Sequence, residues 1–207
     1  MKRATCVVIL LLLTALLAGP ALAQDVKSIL KLDQKWSGDF DGMVERHLIR
    51  ALVPYSKTFY FLDGVDQRGL EYELLKEFEK YINKKLKKRH LKVRLLVIPT
   101  KRDRLLPNLV KGLGDIAAGN LTITPERLKQ VDFSDPYFKG VNEILVTGPT
   151  APQIKTVEDL SGKEIYTRAS SSYYASLQSL NATFKKAGKK PMKLVQADEY
   201  LEDEDLL

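Results

Sequence analysis

Two short stretches of this chain carry residue types that suit the capture of a small anion. The first is Asn120-Leu121-Thr122-Ile123-Thr124-Pro125-Glu126-Arg127. Alternation places Asn120 and Thr122 on one side of an extended backbone and Leu121 and Ile123 on the other. Pro125 suits the first position of a helical turn. That turn lets Arg127 swing back toward the polar side. A guanidinium fork beside an amide and a hydroxyl suits a carboxylate. The second stretch is Ser170-Ser171-Ser172, at an expected strand-to-helix turn. Helix N-terminal N–H groups and hydroxyls there favour negative charge. Taken alone, the serines are a plain N-cap and Arg127 a surface residue. Their occurrence on either side of one linker is the more specific signal.

Catalytic constellations are poorly represented. His47 and His90 have no Ser or Asp partner at a motif spacing. The chain has two histidines and one cysteine, which excludes a disulfide scaffold and a Cys-rich zinc site. Gly112-Leu113-Gly114 lacks the third glycine and the preceding strand of a phosphate loop. Asp132 and Asp135 flank Phe133-Ser134, where turn and cap roles are the common use of Asp. No cofactor and no metal are expected, and binding is favoured over catalysis.

The elements that must hold these residues follow from periodicity. Leu48–Val53 is an expected strand, followed by an aromatic loop with Tyr55, Phe59 and Tyr60. Gly69 opens a helix in which Leu70, Leu74, Leu75, Phe78, Tyr81, Ile82 and Leu86 are expected to share one inward face. Lys92–Ile98 reads as a strand stopped by Pro99. Asp103–Lys111 reads as a helix ended by Gly112 and Gly114. Asp115–Gly119 is a short buried strand, and Val141–Thr147 is expected to be another. Gly148-Pro149-Thr150-Ala151-Pro152 is the clearest linker. Beyond it come a capping box at Thr156–Asp159, a strand over Glu164–Arg168, a helix over Tyr173–Lys186 and a strand over Lys193–Gln196. Alternating strands and helices imply an α/β architecture with a largely parallel sheet. The second unit has about 55 residues and two expected strands. That is little for a core of its own, so further sequence is expected after it.

Composition bounds the setting. The 207 residues are 44% hydrophobic and 29% charged, the balance of a globular protein. Lys2 and Arg3, an apolar run from Val7 to Leu17, Gly19-Pro20 and Ala21-Leu22-Ala23 form the pattern of a secretory signal peptide over residues 1–23. Its removal leaves 31 basic and 26 acidic residues, a net charge of +5. Export argues against a nucleic-acid partner. The run Lys84-Lys85-Leu86-Lys87-Lys88-Arg89 reads as a solvated helix end that suits the helix dipole. Residues 24–45 read as an N-terminal extension, 46–148 as a first lobe, and 149–207 as a hinge with a partial second lobe.

At this point a resemblance is evident. Leu113-Gly114-Asp115-Ile116-Ala117-Ala118-Gly119-Asn120-Leu121-Thr122-Ile123-Thr124-Pro125-Glu126-Arg127, continuing through Val131-Asp132-Phe133-Ser134-Asp135-Pro136-Tyr137, resembles the signature of family 3 periplasmic solute-binding proteins. The resemblance implies a two-lobed, type II periplasmic-binding fold with the second lobe truncated. It implies that Arg127 grips a ligand carboxylate, with Thr122 and Asn120 assisting. It implies that Ser171 or Ser172 donates from the second lobe, and that Tyr55, Phe59 and Tyr60 line the pocket. Arg102 stands where many amino-acid binders place a stacking aromatic, a departure that implies a more acidic or larger ligand. The family's acid for the α-amino group and its second hinge strand would lie past Leu207. A narrower likeness, in Arg50–Phe61, Arg68-Gly69-Leu70, Ser170–Tyr174 and Leu201–Leu207, is to the sensor half of membrane-bound lytic transglycosylase F-like proteins. Their catalytic domain uses a Glu-Ser motif, and no Glu precedes a Ser here. Three readings stay open: a periplasmic, monomeric sensor module with a transglycosylase domain downstream, a transport receptor whose partner is a membrane permease, and an enzyme on the same fold.

Overall fold

The computed structural model describes residues 34–87 and 90–206. The expected signal peptide, residues 24–33 of the expected N-terminal extension and the Lys88-Arg89 end of the basic run lie outside the described residues.

A helix α1 (Phe40–Glu45) leads into β1 (Leu48–Val53). A small antiparallel hairpin follows, β2 (Phe61–Asp63) with β3 (Asp66–Arg68). Next come α2 (Leu70–Lys85), β4 (Arg94–Pro99), a 3-10 turn at Arg102–Arg104, α3 (Leu105–Val110) and β5 (Ile116–Ala117). The larger sheet has the order β4-β1-β5 and is wholly parallel. As the central strand, β1 is covered on both faces and buried from Ile49 to Val53. Ala51, Val53, Tyr60, Leu75 and Val97 form one core cluster, and Ile49, Ile82 and Val93 another. Met43 and Val44 of α1 pack on the second.

Arg50 sits in the middle of this strand at 1% exposure. A buried cation is tolerated only when paired and hydrogen-bonded. Asp115 supplies the pair, with Arg50 Nη2 to Oδ1 at 2.9 Å and the Arg50 backbone N–H to Oδ2 at 2.6 Å. Gly112 accepts from Nη2 at 2.9 Å.

The structure corrects the expected face of α2. Leu75 and Ile82 point inward as expected, but Leu70, Leu74, Phe78 and Tyr81 are exposed, and Glu71, Glu79 and Asn83 are buried instead. The physical reason is that each polar side chain satisfies a backbone group. The Glu79 carboxylate accepts the Leu95 N–H at 2.7 Å. Asn83 accepts the Val93 N–H at 2.9 Å and donates to its carbonyl at 2.8 Å. Glu71 accepts the Asn120 N–H at 3.1 Å.

After β5 come a one-turn helix α4 (Pro125–Leu128), a 3-10 turn at Val157–Leu160, β6 (Glu164–Thr167), α5 (Ser172–Lys186), β7 (Lys193–Gln196) and a 3-10 turn at Asp203–Asp205. β6 and β7 pair in parallel as a second sheet. Its core is Leu160, Phe184 and Met192. The expected capping box forms, with the Asp159 carboxylate accepting the Thr156 N–H at 2.9 Å.

The strand expected over Val141–Thr147 does not form. Val141, Ile144 and Val146 are exposed, and no described strand pairs with this segment. Apolar alternation alone does not make a strand when no neighbour accepts its hydrogen bonds. Among the described residues no helix is long and apolar enough to cross a membrane.

Candidate functional site

The candidate site lies at the carboxyl ends of the parallel strands, the usual ligand position in open α/β sheets. Phe59 stands in the loop after β1, Arg102 just past β4, and Asn120, Leu121 and Thr122 past β5. From the second sheet, Arg168 and Ser170 follow β6, and Ser171, Ser172 and Tyr173 begin α5. Arg127 on α4 and Asp203 complete the lining of a small cavity of about 60 Å³. The site is therefore built from both sheets.

Local sequence explains the placement. Asn120 has φ of 50°, in the left-handed region that Asn tolerates better than most residues. The Glu71 carboxylate holds its N–H. Thr124 caps α4 by accepting the Arg127 N–H at 3.3 Å, with Pro125 in the first turn. Arg127 thereby turns back, as expected from sequence. Its Nη1 donates to the Thr122 carbonyl at 2.8 Å and its Nη2 to the Ser170 carbonyl at 3.3 Å. The Ser170 contact joins the two halves of the site. Burial pulls the Arg127 guanidinium below the usual arginine range, and the neighbouring Arg102 charge adds to this. It remains a cation, since arginine titrates far above neutrality.

The three arginines of the cavity are not equivalent. Arg102 is engaged by the Glu202 carboxylate, with Nε at 2.8 Å and Nη2 at 2.6 Å from Oε2. It also donates to the Gly119 carbonyl at 2.6 Å and stacks over the Phe59 ring at 5.1 Å. Arg168 donates to Asp203 and to the Leu201 carbonyl, both at 2.6 Å. Among the described residues, Arg127 is the cavity arginine whose hydrogen bonds go to carbonyls and not to a carboxylate.

Most of the residues singled out from sequence meet here: Arg127, Thr122, Asn120, Ser171, Ser172, Phe59 and Arg102 all line the cavity. Ser171 is an N-cap, its Oγ accepting the Tyr173 N–H at 3.2 Å. Two aromatics do not join. Tyr60 is buried in the core and donates to Gln67 at 3.0 Å. Tyr55 is 57% exposed and meets Tyr60 edge-on. The reason is the isolated bridge between Ser56 and Tyr60, which turns Tyr60 toward the sheet and leaves Phe59 at the cleft. Asp132 and Asp135 do not line the cavity.

Sequence reasoning missed Arg168, Asp203, Glu71 and Glu202. Arg168 was legible as a cation at the carboxyl end of a predicted strand. Glu71 was legible as an acid interrupting an apolar helical face. Nothing local marks Glu202 or Asp203, because their partners Arg102 and Arg168 lie 100 and 35 residues away. Among the described residues no His, Cys, Asp and Glu cluster has the arrangement to hold a metal ion.

Comparison with known proteins agrees with this architecture. The family model for bacterial extracellular solute-binding proteins, family 3, matches residues 51–200. A membrane-bound lytic murein transglycosylase F of Desulfosudis oleivorans is 30% identical over 134 residues, 65% of this chain and 27% of that protein. An L-glutamate/L-aspartate-binding protein of Pseudomonas aeruginosa is 30% identical over 189 residues, 91% of this chain and 58% of that protein. The chain thus spans about a quarter of the first relative and under two thirds of the second. A crystal structure of an ancestral amino acid-binding protein, a precursor of cyclohexadienyl dehydratase, superposes with a TM-score of 0.57 at 28% identity, over 76% of this chain and 63% of that one. The two-lobed type II periplasmic-binding architecture expected from the signature is thereby shown. With its family match over most of its length and a cleft at the strand ends, this chain belongs to the bacterial extracellular solute-binding proteins, family 3.

Proposed function

We propose that this chain is an exported, periplasmic binding module that captures a small carboxylate-bearing ligand, an amino acid, peptide or muropeptide, between two lobes. The observation that carries the reading is the half-buried Arg127 guanidinium, held at the cavity by the carbonyls of Thr122 and Ser170. A cation preorganised by neutral acceptors binds a carboxylate with little reorganisation. Asn120 and Thr122 flank it from the first lobe, residues 46–148. Ser171 and Ser172 present the N-terminus of α5 from the second, residues 149–207. Phe59 supplies the apolar wall. Arg102 contributes through its pairing with Glu202 and not as a free ligand group. The module performs no chemistry itself.

We place this module as the sensor of a transglycosylase-like cell-wall protein, where ligand state would be passed to a downstream catalytic domain. The likeness to transglycosylase F proteins supports this. A second reading is supported by the longer alignment, 91% of this chain, to an amino-acid-binding protein: a monomeric receptor delivering ligand to a membrane permease. Calorimetric titration of the purified chain with amino acids, short peptides and muropeptides tests the assignment. Arg127→Ala should weaken the binding of whichever carboxylate ligand registers by at least about 30-fold, equivalent to about 2 kcal/mol. Unchanged affinity in a folded variant removes Arg127 from the site. Binding of muropeptides alone favours the sensor, and binding of free amino acids alone favours the receptor.

A further inference from the structure

The segment after β7 carries five carboxylates between Glu199 and Asp205. Glu202 is buried, Glu199 and Glu204 are partly buried, and Asp203 and Asp205 are exposed, yet each of the five has a partner in the fold. On one side they engage the lobe of the second sheet. Glu199 accepts from the Ser170 hydroxyl at 2.6 Å and from its N–H at 3.0 Å, and Asp203 pairs with Arg168. On the other side they engage the lobe of the larger sheet. Glu202 takes Arg102, Glu204 accepts the Thr58 N–H at 3.3 Å, and Asp205 pairs with Lys57 at 3.0 Å. Tyr200 lies under the Lys101 ammonium.

These contacts differ in weight. The Lys57 side chain is 81% exposed, so its pair is screened and contributes little. The Arg102–Glu202 pair is different: the two side chains are 13% and 3% exposed, and the geometry is a guanidinium fork on a carboxylate. Removing one partner of such a pair leaves a buried charge uncompensated. Because Arg102 also holds the Gly119 carbonyl, the pair links the segment to the backbone that precedes Asn120.

We propose that Glu199–Asp205 is an intrachain clasp that holds the two lobes together across the cleft, with Glu202 on Arg102 as its principal contact. The clasp draws the two halves of the cleft together by charge, independently of any ligand. It sets the open–closed balance that a ligand then shifts. It also consumes the charge of Arg102 and Arg168, leaving Arg127 to read the ligand.

Hydrogen exchange on the purified chain tests this, because two amides report the clasp directly. Ser170 donates to Glu199, and Thr58 on the opposite side of the cleft shares its N–H between Glu204 and Ser56 Oγ, the latter at 3.2 Å. In the unaltered chain both should exchange at least about tenfold more slowly than unstructured amides, as expected for groups released only by a local opening. In Glu202→Gln the Ser170 amide should lose that protection and the Thr58 amide, left with Ser56 alone, should lose part of it, while the β1 amides keep theirs and the radius of gyration by X-ray scattering rises. The exchanged pair Arg102→Glu with Glu202→Arg should recover part of the protection. Retained protection and an unchanged radius in a folded Glu202→Gln variant overturn the proposal. If Glu202→Gln does not fold, Glu204→Ala decides, because it removes the Thr58 acceptor across the cleft and keeps Ser56: faster exchange at Thr58 than in the unaltered chain supports the proposal, and equal rates overturn it.

Discussion

Arg50 and Asp115 meet inside the larger sheet, with their closest hydrogen bonds at 2.6 and 2.9 Å and side chains 1% and 0% exposed. One stands mid-strand in β1 and the other immediately precedes β5. The pair therefore sets where β5 lies along β1, and so where the backbone running on to Asn120 and Arg127 emerges. Arg50→Ala leaves the Asp115 carboxylate to the partly exposed Arg46 guanidinium, which also pairs with it. We expect a loss of about 2–4 kcal/mol in urea unfolding, below that of a fully uncompensated buried charge. Asp115→Asn keeps an acceptor for the Arg50 backbone N–H but removes the carboxylate shared by the Arg50 and Arg46 guanidiniums, so it should cost at least as much. A loss under 1 kcal/mol for Arg50→Ala would mean that the pair does not hold the sheet.

The two lobes repeat one device. Asn83 on α2 brackets Val93 by accepting its N–H and donating to its carbonyl, and Asn181 on α5 does the same to Met192, at 2.6 and 3.0 Å. Each catches the chain at the entry to the strand that follows its helix. Asn83→Ala strands two buried backbone groups and should cost about 2 kcal/mol or more in denaturant unfolding. Asn181 is less buried, so Asn181→Ala should cost less. Equal or reversed losses would show that solvent access does not set the penalty.

Much of this architecture was legible in the residues. The parallel strands, the capping box at Thr156 and the turn that returns Arg127 follow from local spacing and chemistry. The α2 face was misjudged because apolar periodicity ignores what a polar side chain can satisfy. Glu71, Glu79 and Asn83 are buried through hydrogen bonds to Asn120, Leu95 and Val93, and the last two belong to a strand pattern 10 or more residues away. The same limit hid the clasp. An acidic run reads as solvated unless its cationic partners are known, and Arg102 lies 100 residues from Glu202.

Gly69 has φ of 120°, and a Cβ built there would stand 2.3 Å from the Phe59 carbonyl oxygen. The close approach lets the first turn of α2 donate to that loop, with Leu70 N–H on the Thr58 carbonyl at 2.9 Å and Glu71 N–H on that of Phe59 at 3.1 Å. Gly69→Ala should therefore cost about 3 kcal/mol, from backbone strain and collision together. It should also push Phe59 at the cleft and weaken ligand binding beyond what the stability loss explains. Thermal unfolding and calorimetry on the same sample separate the two effects. A variant as stable as the parent would show that the loop yields freely.

Glu71 links the core to the cleft and gives the chain a defined pH dependence. Burial pushes its carboxyl above the ordinary value of 4.5, while the Asn120 N–H and the Arg102 charge pull the other way without cancelling it. A carboxyl whose folded pKa is raised binds its proton more tightly in the folded state. Its contribution to stability is therefore greatest below the ordinary value. It declines as pH rises through the window between the ordinary and the raised value, and stays lost above it. Glu71→Gln removes this titration and retains an oxygen that accepts from Asn120. It should flatten the melting temperature between about pH 4 and 7 and equal or exceed the parent at pH 7. Glu71→Ala removes the acceptor as well and should cost about 1–3 kcal/mol at every pH, through the unsatisfied Asn120 N–H. A melting temperature for Glu71→Gln that falls below the parent at pH 7 would show that the ionised carboxylate is the stabilising form. In that case the Arg102 charge and the Asn120 amide would outweigh burial.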